Sequence, residues 1–123
     1  MNITHTRFVT VPVTDQDRAR AFYVDTLGFE VVVDRRVGPV RWIQVAPKGA
    51  QTSFTLATAA GFEPGSAQGI VLESADLEAD CARLTECGAL VKGPTEYPWG
   101  RQAVFTDPDG NRLVLATPTP VGF

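Results

Sequence analysis

Val9-Thr10-Val11-Pro12-Val13-Thr14-Asp15, followed by Ala19, Phe22, Tyr23 and Leu27 and then by Gly28-Phe29, is the stretch whose reading decides the fold. From Phe8 to Val13 the chain is apolar and β-branched, which favours a strand. Asp15 is placed to cap a helix in which Ala19, Phe22, Tyr23 and Leu27 share one face. Gly28 supplies the left-handed backbone that ends such a helix. Three more strands are expected, Phe29–Asp34, Val40–Ala46 and Thr52–Ala57, with Pro47-Lys48-Gly49 turning the last pair.

The same order of elements then returns. Gly69–Ser74 reads as a strand, Asp76 caps a helix with Leu77, Cys81 and Leu84 inward, and Gly88 closes it. Strands at Ala89–Pro94, Gln102–Thr106 and Arg112–Thr117 follow, and Asp107-Pro108-Asp109-Gly110-Asn111 forms the turn. Val9 matches Ile70, Asp15 matches Asp76 and Pro47-Lys48-Gly49 matches Pro108-Asp109-Gly110 at an offset of 61, while Gly28 and Gly88 are 60 apart. Agreement over several punctuating residues marks an internal duplication. The expected organisation is one structural domain of two modules, residues 1–58 and 68–118, joined by a Gly/Pro/Ala-rich linker at 59–67. The fold class is α+β: two tandem βαβββ modules whose curled mixed sheets enclose a cleft, with helices covering the other sheet faces.

Composition narrows the function. The 123 residues suit one self-standing core, and 44% hydrophobic against 20% charged residues excludes disorder. Eleven Lys+Arg against fourteen Asp+Glu give a net charge of -3, which argues against nucleic acid as partner. No window approaches the roughly 18 apolar residues of a membrane span, and the segment after Met1 does not read as a signal peptide. Cys81 and Cys87 are six apart on one helix, beyond disulfide reach, so two reduced structural thiols and a cytoplasmic setting are expected. His5 is the single histidine, which excludes chemistry needing two histidines from one chain.

Three segments resemble the vicinal oxygen chelate superfamily of glyoxalases, extradiol dioxygenases and bleomycin-resistance proteins. They are Val11-Pro12-Val13-Thr14-Asp15 leading into Ala21-Phe22-Tyr23, Leu27-Gly28-Phe29, and Phe105-Thr106-Asp107-Pro108-Asp109-Gly110-Asn111. The resemblance implies a fold shared by enzymes and binding proteins. In the family's metalloenzymes two positions per module hold a metal, and these fall here on Phe8, Thr55, Gly69 and Val114. Of these only the Thr55 hydroxyl is even a weak donor, and His5, three residues before Phe8, would point to the opposite strand face. No metal and no cofactor are therefore expected. The resemblance also implies a homodimer with clefts shared between subunits.

Period-two alternation assigns the cleft lining. Phe8, Thr10, Trp42, Gln44 and Thr55 are expected from the first module, and Glu73, Phe105 and Arg112, with Ala103, from the second. Tyr97 and Trp99 are expected in a loop covering the mouth. Aromatic walls with a few polar contacts suit a planar or amphiphilic ligand. Glu73 either meets a cationic group of that ligand or ends its strand in water, and Arg112 either meets ligand or pairs with Asp109. An aromatic ring on an inner sheet face is also a common packing residue. Asp107 and Asp109 read as hairpin residues, and Arg35-Arg36 with Arg41 as a solvated basic face. No phosphate loop or nucleophile elbow is present in the sequence. The expected function is metal-independent binding of an aromatic or cationic metabolite or antibiotic, as in bleomycin-resistance proteins. The alternative is a glyoxalase- or dioxygenase-like enzyme (lyase, isomerase or oxygenase) working without the four metal ligands, through Glu73 with Tyr97 or Arg112.

Overall fold

The computed structural model describes residues 1–58 and 61–118; Ala59 and Ala60 of the expected linker lie outside the described residues. The first module runs β1 (Phe8–Pro12), α1 (Gln16–Ala21, continued by a π-helical turn over Phe22–Thr26), β2 (Glu30–Val37), β3 (Val40–Ala46) and β4 (Ser53–Ala57). The second runs β5 (Ile70–Glu73), α2 (Leu77–Glu86), β6 (Val91–Tyr97), β7 (Gly100–Thr106) and β8 (Arg112–Ala116). The sheet orders are β1-β4-β3-β2 and β5-β8-β7-β6, each with one parallel pair, and neither closes into a barrel. Two βαβββ units of α+β class are thus present, with no helix among the described residues long and apolar enough to cross a membrane.

Both helices start where the sequence places them. Asp15 accepts a hydrogen bond from the Arg18 amide and Asp76 from the Ala79 amide, so each carboxylate satisfies an otherwise orphaned N–H. Gly28 (φ +76°) and Gly88 (φ +87°) end them in left-handed backbone. Asp15 to Gly28 is one residue longer than Asp76 to Gly88, and the π-helical turn absorbs that residue, with the Leu27 amide bonded to the Phe22 carbonyl at 3.0 Å. In this wider turn consecutive Phe22 and Tyr23 both reach the core. Phe22 packs on Phe105 across the modules, and Tyr23 sits among Phe29 and Phe54.

The helix-covered sheet faces of both modules merge into one core of Val11, Tyr23, Ile43, Val45, Leu56, Leu84, Phe105, Leu113 and their neighbours. A buried polar cluster ties it together. Asp107 accepts from four donors: Tyr23 Oη and Asn111 Nδ2 on one oxygen, the Asp109 and Asn111 amides on the other, all at 2.8–2.9 Å. Burial, reinforced by the Asp107 carboxylate, pushes the Tyr23 phenol up, so it stays protonated and donates. Asn111 reaches further: Nδ2 donates to the Pro12 carbonyl at the end of β1, and Oδ1 accepts from the Ala67 amide. The Asp107–Asn111 turn therefore clasps the first strand of the other module. Gly65 threads beneath it, where a Cβ would collide with the Asp109 carbonyl oxygen.

Asn111→Ala removes three side-chain hydrogen bonds, two of them buried, and is expected to destabilise the chain by about 2–4 kcal/mol, and Tyr23→Phe by about 1–2 kcal/mol. Urea unfolding followed by tryptophan fluorescence measures both, and a change below 0.5 kcal/mol for Asn111→Ala would overturn the role given to the clasp. A second expectation concerns the thiols. Cys81 is buried, its thiol pushed up by desolvation and by Glu78 and Asp80, whereas Cys87 is exposed. One thiol per chain should react rapidly with Ellman's reagent in native buffer and the second only on unfolding.

Candidate functional site

Opposite partners across paired strands point to the same face, so the registers fix what each open sheet face presents. In the first module Phe8 lies beside Ser53, Thr10 and Gln44 flank Thr55, Val33 faces Gln44, and Arg35 faces Trp42. The structure thus brings Phe8, Thr10, Trp42, Gln44 and Thr55 together on one face, as the alternation predicts. Phe8 meets Trp42 edge-to-face, with centroids 5.7 Å apart and planes at 82°. Trp42 Nε1 donates to Gln44 Oε1 (2.8 Å), and Gln44 Nε2 donates to Ser53 Oγ (2.7 Å), which fixes the indole's orientation. Thr55 lies buried between these strands, and its hydroxyl has no partner among the described residues.

Over this platform opens a cavity of about 660 Å³, walled by Phe8, Trp42 and Gln44 together with Val33, Val37 and Val40. Arg7 and Arg35 complete the wall. The sequence reading missed the β2 residues because it placed Arg35 in a solvated basic spot with Arg36 and Arg41. That spot divides: Arg41 is taken by Asp34 and Asp17, Arg36 faces Arg41, and Arg35 turns to the cavity. The signal was the hairpin register, which sets Arg35 directly across from Trp42.

The second module presents a separate face. Val71 faces Val114, Glu73 faces Ala116, Arg112 faces Thr106, and Val104 lies between Lys92 and Val114. Phe105, expected in the cleft, is instead a core residue at 1% exposure, and Ala103 goes with it. The reason is a register drift. Thr10 and Val71 are 61 apart, Gln44 and Val104 are 60 apart, and Thr55 and Val114 are 59 apart, so a constant offset misplaces β7 by one residue and inverts its faces. Tyr97, expected in a loop, closes β6 opposite Gly100, and Trp99 stands in the two-residue turn. Their rings stack at 4.9 Å and 10°, exposed at the hairpin tip. Glu73 also lines a groove of about 410 Å³ between the modules, together with Lys48, Asp80, Arg83, Phe29 and Leu115. Arg112 is not paired with Asp109, which is held by Thr14 and Arg18.

Residues 2–115 match the family model of the Glyoxalase/Bleomycin resistance protein/Dioxygenase superfamily. The chain belongs to this superfamily. Among curated proteins it is 35% identical over 112 residues to the uncharacterized protein YetH of Bacillus subtilis strain 168, covering 87% of this chain and 92% of that one. Among solved structures it is similar to TnmS3, an antibiotic binding protein from Streptomyces sp. CB03234: 49% identity, TM-score 0.91, and 97% and 99% of the two chains covered. It is also similar to a superfamily member from Sphaerobacter thermophilus DSM 20745, at 39% identity and TM-score 0.88 over 95% and 99% of the chains.

Metal-dependent members of this superfamily need donors that this chain does not offer. Phe8 is a phenyl ring against Trp42, Thr55 is a buried hydroxyl, and Gly69 and Val114 carry no donor side chain. His5 lies before β1, exposed, with Nδ1 at 3.0 Å from Thr4 Oγ1. Among the described residues no three His, Cys, Asp or Glu side chains form a group able to hold a metal ion. Zinc, nickel or manganese titrated calorimetrically into dialysed protein should give no stoichiometric binding. One tightly held ion per chain would overturn this account of the donor set.

Proposed function

We propose that this chain is a metal-independent small-molecule-binding protein that sequesters an aromatic metabolite or antibiotic on the Phe8–Trp42 face. One observation carries the reading: an edge-to-face aromatic pair with its indole locked by Gln44, at the floor of a cavity of about 660 Å³. That volume is in the range of sites for drug-sized ligands. A ring fixed before binding loses little rotamer entropy when a planar ligand stacks on it, so the platform favours affinity. The 49% identity to TnmS3, an antibiotic binding protein, supports the same reading.

The binding unit in this proposal is a homodimer. The cavity on the first module is walled by that module alone, and both β1 and β5 are edge strands of open sheets. Val71, Tyr97 and Trp99 on the second module are exposed apolar groups suited to closing a cleft. The proposed compartment is the cytoplasm, where Cys81 and Cys87 would remain thiols.

Quenching of tryptophan fluorescence by a panel of aromatic antibiotics and polycyclic metabolites tests the reading. At least one is expected to bind, with Trp42→Ala weakening it on the order of tenfold, the loss of about 1.5 kcal/mol of ring contact. Consumption of the bound compound by the purified protein would favour the enzyme alternative. Light scattering in solution should give twice the 13.3 kDa of the chain; a monomer at micromolar concentration would sink the dimer.

A further inference from the structure

We infer that the ligand is an anionic aromatic compound, its negative group held by Arg7 and Arg35 while its ring system lies on Trp42 and Phe8. This rests on the reading of the Phe8–Trp42 face as the binding site and replaces the cationic ligand expected from Glu73.

The cavity walls contain two guanidinium groups and no carboxylate. Neither Arg7 nor Arg35 has an acidic partner among the described residues, whereas Arg18, Arg20, Arg41 and Arg101 each form an ion pair. The nearest acid in sequence, Asp34, lies opposite Ile43 on the core side and is held by Arg41 and Arg20. Arg35 stands directly across from Trp42, so a carboxylate, sulfonate or phenolate on a ring stacked there comes within reach of a planar fork of donors.

Seven of the eleven Lys and Arg form no ion pair among the described residues, so the informative feature of Arg7 and Arg35 is their placement together around one cavity that no acid lines. The open face of the second module has the same sign, with Lys92 and Arg112 against Glu73. A cavity whose charged lining is two cations focuses a positive potential where an anion would dock.

Three pyrene probes of equal aromatic area test the inference: pyrene-1-carboxylate, pyren-1-ylmethanol and pyren-1-ylmethylammonium, titrated against the full chain by fluorescence anisotropy. The carboxylate is expected to bind about tenfold tighter than the ammonium, and less so as salt rises. Arg7→Gln with Arg35→Gln should reduce that preference to within about threefold and weaken the carboxylate far more than the alcohol. Arg36→Gln, one residue away on the other face, should leave the preference intact. Equal or tighter binding of the ammonium, or an unaltered preference in the double variant, would refute charge selection. The alcohol separates this failure from that of the site itself. If it binds and Trp42→Ala abolishes binding, the platform stands alone; if no probe depends on Trp42, platform and charge selection fall together.

Discussion

A carboxylate surrounded by four donors in a protein interior is the constraint on which this structure rests. Asp107 at 5% exposure has no cationic partner among the described residues, and an isolated buried charge would be costly. Tyr23, Asn111 and two amides of its own turn meet that cost, and each comes from a different requirement of the fold. Tyr23 is the one polar group in an aromatic core, Asn111 joins the turn to the end of β1, and the amides define the turn. Loss of any one donor leaves the buried carboxylate short of a hydrogen bond, and loss of the carboxylate would leave all four donors unmatched. The clasp therefore couples folding of the two modules: neither completes its own hydrogen bonding without the other.

The clasp also accounts for what the open faces are free to do. The apolar and polar requirements of folding are met on the helix side of each sheet, where Val11, Ile43, Leu56 and Leu113 are fully buried. Residues on the other side are released from the core and can vary in chemistry without unfolding the chain. In the first module that freedom carries Phe8 and Thr55 where metalloenzyme relatives need metal donors, with Trp42 and two arginines on the same side. The family fold is thus kept while the chemistry of the face is replaced.

Much of the architecture was legible in local chemistry. Val40–Ala46 appears with its expected bounds, and Asp15, Asp76, Gly28 and Gly88 punctuate the helices as their backbone preferences require. Five expected cleft residues, Phe8 to Thr55, share one face because a period-two pattern anchored on β1 carries across parallel β4 and antiparallel β3 without slip. Phe105 went wrong because parity has no tolerance: one residue of drift exchanges core for cleft. Arg35 was missed because its role comes from the strand across the hairpin. The Tyr23–Asp107 bond joins residues 84 apart, and no local pattern announces it.

The π-helical turn at Phe22–Thr26 bears on how a doubled fold of this kind changes length over time. Removing or adding one residue inside a strand turns every later side chain over unless a bulge takes it up, as bulges do in β2 and β6. An α-helix, by contrast, can take in a single residue by widening one turn, and a connector can take it in at almost no cost. The modules differ in length at two such places: the helix, and the link between the last two strands, six residues at 47–52 against five at 107–111. Insertions and deletions in such a chain are filtered by where they fall, so the two halves have diverged in size while each strand kept its inward and outward sides. In the first helix the widened turn holds that extra residue and sets both Phe22 and Tyr23 in the surrounding aromatic core.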